Sequence, residues 1–115
     1  MNTKEAVKKF MDTRITNARD SVELGKSALE DNRFGFVLSN EFNESLAWLF
    51  YEGLVHMFLH TEGLTLEALS TRLLEKITNI TVDIGRGDSM GLIKSCAELR
   101  VLTRIFVKIN EELSE

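Results

Sequence analysis

Apolar residues recur at helical spacing along most of the chain and predict four long helical segments. In the first segment, residues 3–31, the apolar positions follow a period close to 3.5 residues, which places them in one stripe of a long helix. They are Val7, Met11, Ile15, Ala18, Val22 and Leu29. Polar residues 31–33 then interrupt the pattern, and the short apolar segment 34–38 is expected to form at most one loose turn.

The second helix is predicted to begin at Ser39 or Asn40 and to end at Gly63. Serine and asparagine side chains accept hydrogen bonds from the free amide groups at a helix N-terminus. Between residues 46 and 59 apolar side chains fall almost all the way round the helix. A helix of that kind is buried in the centre of a fold or against a partner.

Two further helices complete the predicted set. The third covers residues 65–78, with Thr65 as its N-cap and leucines on one face. Residues 79–87 alternate apolar and polar side chains, and we expect a packed loop there because the run is too short to form a sheet alone. The fourth helix is predicted to start from an Asp88 or Ser89 cap and to extend to Leu113.

The expected fold class is all-α. The four helices predict a four-helix bundle-like single domain over residues 1–115, with a long first helix and a central apolar second helix. A chain of 115 residues has the length of one domain.

Composition narrows the functional classes. With 43% hydrophobic residues, 28% charged residues and no proline, the chain has neither a collagen-like nor a disordered composition. A net charge of −4 disfavours nucleic acid as the main partner. The single cysteine, Cys96, cannot form an internal disulfide, and no apolar run is long enough to span a bilayer. We therefore expect a cytoplasmic protein without membrane contact.

One polar stripe on the second helix carries metal-ligating side chains. Glu52, His56 and His60 are four residues apart, so they lie above one another on one helical face. Imidazole nitrogens and a carboxylate oxygen are ordinary zinc ligands. The stripe lacks the glutamate that follows the first histidine in metalloprotease helices, and we expect it to be a solvated edge that holds no metal or other cofactor.

Basic residues form a second stripe, on the fourth helix, which could bind phosphate groups or an acidic partner. Its members are Lys94, Arg100, Arg104 and Lys108. Residues 34–71, in contrast, contain five acidic residues and no lysine or arginine. Either these surfaces meet within one chain or between copies, or the basic stripe is a solvated face paired with local acidic neighbours such as Glu98 and Glu111, which is the alternative we favour.

Seven of the nine aromatic residues fall within residues 34–58. Core packing is the expected role of such rings. Cys96 has apolar neighbours in the fourth helix and is expected to be a buried or half-buried thiol. The sequence contains no glycine-rich phosphate loop and no serine nucleophile signature, so catalysis has no positive support.

Residues 42–63, about a fifth of the chain, resemble the central helix of HEPN-type helical bundles. That resemblance implies a helical bundle that accompanies nucleotidyltransferases or acts as a ribonuclease. Ribonuclease members carry an arginine followed a few residues later by histidine. Here no arginine lies between Arg33 and Arg72, so neither His56 nor His60 matches that motif.

The leading functional hypothesis is a non-enzymatic helical interaction module that self-associates as a homodimer or higher oligomer and regulates or inhibits a larger partner. Its interface is predicted on the second helix, at Trp48, Tyr51, Val55 and Phe58. One alternative is binding of a nucleotide or nucleic acid by the Arg100, Arg104 and Lys108 stripe. A second alternative is a metal-dependent enzyme that uses Glu52, His56 and His60.

Overall fold

The computed structural model describes residues 3–37, 39–85 and 91–114, apart from the side chain of Val37. Within these ranges the chain forms five helices and no strand, which confirms the all-α class. The helices are α1 (Thr3–Glu30), α2 (Phe34–Val37), α3 (Asn40–His60), α4 (Leu66–Gly85) and α5 (Leu92–Leu113). None of the described helices combines the length and apolarity needed to cross a membrane.

Helix α1 confirms the first predicted helix almost to the residue. Its inward stripe is buried as predicted as far as Ala18, whereas Leu29 is exposed. Further along the helix, the small residues Gly25 and Ala28 are the buried ones. The Phe42 ring lies directly against Gly25, so only a small residue fits at that point of α1.

Side-chain caps begin both α3 and α4, as predicted. The Ser39 hydroxyl accepts a hydrogen bond from the backbone N–H of Phe42 at 3.2 Å. The Thr65 hydroxyl accepts one from the N–H of Ala68 at 3.1 Å. Between the two helices Gly63 has a φ of +90°, a conformation that glycine adopts without steric strain. These local interactions separate α3 from α4 without any proline.

Helix α4 is longer than predicted, and the packed loop expected at residues 79–87 is wrong as far as Gly85. Ile77, Ile80 and Ile84 recur at three- and four-residue spacing and are half-buried, so a helical pattern coexists with the alternating one. β-Branched residues lower helix stability only slightly, and an isolated strand would leave its backbone unpaired. The last two residues of that expected loop lie outside the described ranges.

The predicted caps of the fourth helix, Asp88 and Ser89, also lie outside the described residues. In the structure α5 begins at Leu92, and Gly91 occupies the N-cap position without a side-chain hydrogen bond. The helix then extends to Leu113, the residue predicted for its end.

Helix α3 packs along α1 on one side and against α5 on another, and α5 also packs along α4. Side chains from these four helices form one hydrophobic cluster. Its completely buried members are Val7 and Met11 from α1, Val55 from α3, Leu69 and Leu73 from α4, and Val101, Leu102, Ile105 and Ile109 from α5.

The close approach at Gly25 predicts an unusual mutational effect. Alanine normally stabilises a helix relative to glycine, but the Cβ of Gly25→Ala would overlap the ring of Phe42. We expect the free energy of unfolding, measured by urea denaturation, to fall by about 1 to 3 kcal/mol. The matched control is Ser27→Ala on the exposed face of α1, which should leave stability unchanged or slightly raised. A Gly25→Ala variant as stable as the wild type would contradict the close packing of α1 on Phe42.

Candidate functional site

The four residues predicted to form an interface are buried inside this chain. Trp48, Tyr51, Val55 and Phe58 all belong to the hydrophobic core. The Trp48 ring, for example, packs edge-on against Phe10 of α1 with 5.9 Å between ring centroids. Side chains enclosed by their own chain cannot contact a second molecule unless the helices separate. An interface at these four residues would therefore require the helices to separate, and the surface that this chain exposes is the opposite face of α3.

That opposite face is apolar although it is exposed to solvent. Leu46, Phe50, Gly53 and Met57 are spaced by four, three and four residues, so they lie on one side of the helix. Leu46 is 42% exposed, Phe50 68% and Met57 48%. We call these four residues the outer stripe of α3. Charged or polar side chains normally occupy such a face on a surface helix, so this stripe is the leading candidate for contact with another molecule.

A groove of about 460 Å³ lies beside the outer stripe, between α3 and α5. Apolar side chains form most of its wall, and Lys94 and Glu98 of α5 carry its charges. Their ammonium and carboxylate groups are 3.9 Å apart. The groove is lined by Asn43, Leu46, Ala47, Leu49, Phe50, Lys94 and Glu98. It therefore shares Leu46 and Phe50 with the stripe and extends the same apolar surface.

Gly53 has no structural explanation within the described chain. It lies in the interior of α3 in ordinary helical geometry, and a Cβ added there would meet nothing within 4 Å. Glycine in a helix interior destabilises the helix by roughly 0.5 to 1 kcal/mol relative to alanine. Gly25, in contrast, is required by the adjacent ring of Phe42.

Tyr51 contacts Glu98, a lining residue of the groove. Its hydroxyl donates a hydrogen bond to Oε2 of Glu98 at 3.4 Å. The ammonium group of Lys76 lies 5.8 Å from the centroid of the tyrosine ring. Tyr51 thus joins α3, α4 and α5 at one point. Burial, followed by the negative charge of Glu98 and the hydrogen bond to it, raises the pKa of Tyr51 to about 12.

Part of the predicted basic stripe is ion-paired with α3. Arg100 Nε donates a short hydrogen bond to Oε1 of Glu44, and Arg104 Nη1 lies 3.9 Å from the other oxygen of the same carboxylate. Arg100 Nη2 is shielded from solvent and has no hydrogen-bond partner. The acidic and basic segments of the sequence therefore meet within one chain at Glu44, as one of the sequence alternatives expected.

The remaining members of the basic stripe also lie near carboxylates. Lys94 is 3.9 Å from Glu98, and Lys108 is 2.9 Å from Glu112. Both partners are one helical turn away on α5 itself, and such pairs contribute little to stability. A phosphate ligand would have to compete with these carboxylates.

Arg19 of α1 contacts the polar stripe of α3, and the polar residues of that stripe contact one another in sequence. Arg19 Nη2 lies 3.2 Å from Glu52 Oε1, and that oxygen lies 3.7 Å from His56 Nε2. His56 Nδ1 is 3.1 Å from His60 Nε2. The two rings are nearly parallel, inclined by 11° with centroids 5.2 Å apart, and a ring N–H of one donates to a ring nitrogen of the other.

This geometry separates the three candidate metal ligands. Glu52 approaches one nitrogen of His56 whereas His60 contacts the other, so the three groups do not converge on a single point. Among the described residues no group of three histidine, cysteine or acidic side chains is arranged to hold a metal ion. The pKa of the Asp12 carboxyl on α1 is lowered, chiefly by the hydrogen bond from Lys8 and the charge of that residue.

Cys96 is a half-buried free thiol, within the range of burial expected. It lines a shallow pocket with Leu99, Arg100, Thr103 and Arg104.

Comparison of the chain with family models, curated proteins and solved structures finds no match.

The raised pKa of Tyr51 predicts a loss of stability at high pH. An unfolded tyrosine ionises near pH 10, so Tyr51 contributes its full stabilisation below that pH and loses it as the pH rises through about 12. Because the chain has one tyrosine, absorbance at the tyrosinate band reports this group alone. We expect a midpoint near 12 in the folded protein, and a shallower decline of unfolding free energy above pH 10 in Tyr51→Phe. A folded-state midpoint near 10 would refute the burial and pairing of Tyr51.

The separated ligands predict that the protein holds no metal at His56 and His60. We expect a chelator to leave the melting temperature unchanged, because a bound ion that stabilises the fold would raise that temperature. His56→Ala/His60→Ala serves as the control and should melt identically with and without chelator. If chelation lowers the wild-type melting temperature by several degrees and leaves the double variant unaffected, this prediction is wrong and a metal ion binds at His56 and His60.

Proposed function

We propose that this protein is a non-enzymatic interaction module that self-associates and regulates or inhibits a larger partner protein in the cytoplasm. The observation that carries the proposal is the outer stripe of α3, an exposed apolar surface on the most apolar of the four long helices described. We further propose that the four long helices form one bundle-like domain, with a long first helix, α1, and the apolar α3 at its centre. The single hydrophobic cluster shared by these helices supports that arrangement.

The stripe is suited to association because a contact there removes mainly apolar surface from water and desolvates few polar groups. Burying a large apolar side chain contributes roughly 1.5 to 3 kcal/mol, so several can offset the translational and rotational cost of association. Between Glu44 and Glu62 the only charged residue is Glu52. Its carboxylate pairs with Arg19 of α1 and lies away from the stripe. A partner therefore buries no unpaired charge at the centre of the contact.

The non-enzymatic part of the proposal is supported by the roles of the titratable groups. Strongly perturbed pKa values often mark catalytic sites. Tyr51 and Asp12, whose pKa values are shifted, have partners that the packing of the helices explains: Tyr51 pairs with Glu98, and Asp12 accepts a hydrogen bond from Lys8 at 2.8 Å.

A nucleotide or nucleic-acid function is the second candidate, and one observation favours it. Arg100 Nη2 has no hydrogen-bond partner, and the Arg100 and Arg104 side chains line a pocket of about 450 Å³. The carboxylate of Glu44 opposes it by neutralising both arginines. Nucleotide binding that strengthens as salt is lowered and disappears in Arg100→Ala/Arg104→Ala would favour this candidate over the interaction module.

A charge placed on the outer stripe tests the proposed function. We expect the wild type to sediment as a species heavier than its 13.1 kDa chain in a concentration-dependent manner. Phe50→Glu should weaken this association at least about tenfold, because it buries an unpaired carboxylate at the contact. Sedimentation equilibrium measures both constants, and circular dichroism checks the fold.

The matched control places the same charge on an exposed leucine of α1. Leu24 is 61% exposed, close to Phe50 in accessibility, so Leu24→Glu should associate like the wild type. If Phe50→Glu associates as tightly as the wild type, the outer stripe is not the surface through which the protein associates. At about 100 μM even weak specific contacts of millimolar to micromolar affinity begin to form. A wild type that remains monomeric at that concentration would contradict the proposed self-association.

A further inference from the structure

We propose that the outer stripe binds the same stripe of a second copy, antiparallel and about a two-fold axis, with each Phe50 ring packed on Gly53 of the other copy. This inference rests on the proposed function and adds its partner, orientation and register. A two-fold contact requires a patch that is complementary to itself. The residue order along the stripe meets that requirement.

The register follows from the symmetry of the spacing. When Phe50 is placed opposite Gly53 of an antiparallel copy, Leu46 falls opposite Met57, because both pairs are centred between residues 51 and 52. The half-buried flanking residues Leu49 and Leu54 are centred on the same point. One axis therefore pairs apolar residues with apolar residues along the whole stripe.

Shape supports the same register. Phe50 is the most exposed large apolar residue of the described chain, and the space above Gly53 is empty. Helices pack with axes 8 to 10 Å apart, and a glycine leaves room for a large ring from the facing helix. A parallel contact would instead place Phe50 against Phe50 and Gly53 against Gly53, with a collision at one point and a void at the other. The contact thus explains a glycine that α3 itself does not need.

The available area agrees with a dimer contact. A large apolar side chain presents roughly 200 Å² when fully exposed, so the observed exposures of Leu46, Phe50 and Met57 offer about 300 Å². A standard interface buries about 800 Å² on each partner, of which roughly 60% is apolar. The three side chains thus supply more than half of the apolar area that a stable dimer needs. Leu49, Leu54 and the adjoining groove extend the surface.

Charge is also compatible with a second copy. The stripe contains no charged residue, so the two-fold axis does not bring like charges together at its centre. At the edge, Lys94 and Glu98 present both signs side by side. A surface with a neutral apolar centre and a rim of mixed charge can face itself without net repulsion.

A charge exchange between the two paired positions tests the register. Phe50→Glu and Gly53→Lys should each associate at least about tenfold more weakly than the wild type, because each buries two unpaired charges per dimer. When the two variants are mixed, the proposed register places Glu at position 50 of one chain opposite Lys at position 53 of the other. The second contact of that mixed dimer is the native one, Phe50 on Gly53.

We expect the mixture to associate at least about tenfold more tightly than either variant alone, as measured by sedimentation equilibrium. The matched control replaces Gly53→Lys by Gly53→Glu, and that mixture should show no recovery because two carboxylates face each other. Circular dichroism of each variant confirms that the helices are retained.

The outcomes separate this inference from the proposed function. If Phe50→Glu abolishes association but mixing with Gly53→Lys restores nothing, the stripe remains the docking surface and the antiparallel register is overturned. A disulfide readout gives an independent test in the Cys96→Ser background. Leu46→Cys/Met57→Cys should cross-link two chains, whereas Leu46→Cys alone should not, because the two copies of residue 46 lie too far apart in this register. Efficient cross-linking by Leu46→Cys alone would overturn it.

Discussion

The whole arrangement depends on the difficulty of covering α3, a helix with apolar side chains on nearly every side. Helix α1 covers one side, where Trp48 meets Phe10, and α5 covers another, where Tyr51 meets Glu98. Helix α4 adds a smaller contact along the same side, including Lys76 beside the Tyr51 ring. These helices leave the face of α3 that carries Leu46, Phe50 and Met57 open to solvent. The candidate site is what remains after the core has been completed.

Charge then determines which helices can be neighbours of α3. Its acidic residues have no basic partner within residues 34–71, so their ion pairs must come from elsewhere in the chain. Glu52 pairs with Arg19 of α1, and Glu44 pairs with Arg100 and Arg104 of α5. Exposed ion pairs contribute little stability individually. Their larger effect here is on orientation, since pairing on opposite flanks of α3 leaves the outer stripe free of charge.

Local signals in the sequence predict where most helices begin and end, but they do not predict which face of α3 is buried. The caps at Ser39 and Thr65 and the interruption at residues 31–33 act over a few residues, so sequence reveals them directly. The end of α4 was missed because Ile80 and Ile84 fit both a strand and a helix. The exposed face of α3 was not distinguished from its buried face, because an all-round apolar helix has no preferred inward direction. Which side of α3 faces the core is decided by α1 and α5, and that information is not contained in α3 itself.

Gly53 connects stability to the proposed function. An alanine there would meet no neighbour in the chain and would strengthen the helix, so the fold alone favours its replacement. The same Cβ would stand between the helix and a ring that packs on it from another molecule. A residue that weakens its own helix and benefits only an external contact resembles the stability sacrifices found at functional sites. Gly25 shows the opposite case, because there the opposing ring belongs to the same chain and the glycine serves the fold. In both cases a glycine leaves room for an aromatic ring to pack directly on the helix backbone. At Gly25 the ring belongs to the same chain, and at Gly53, by our inference, it belongs to a second copy.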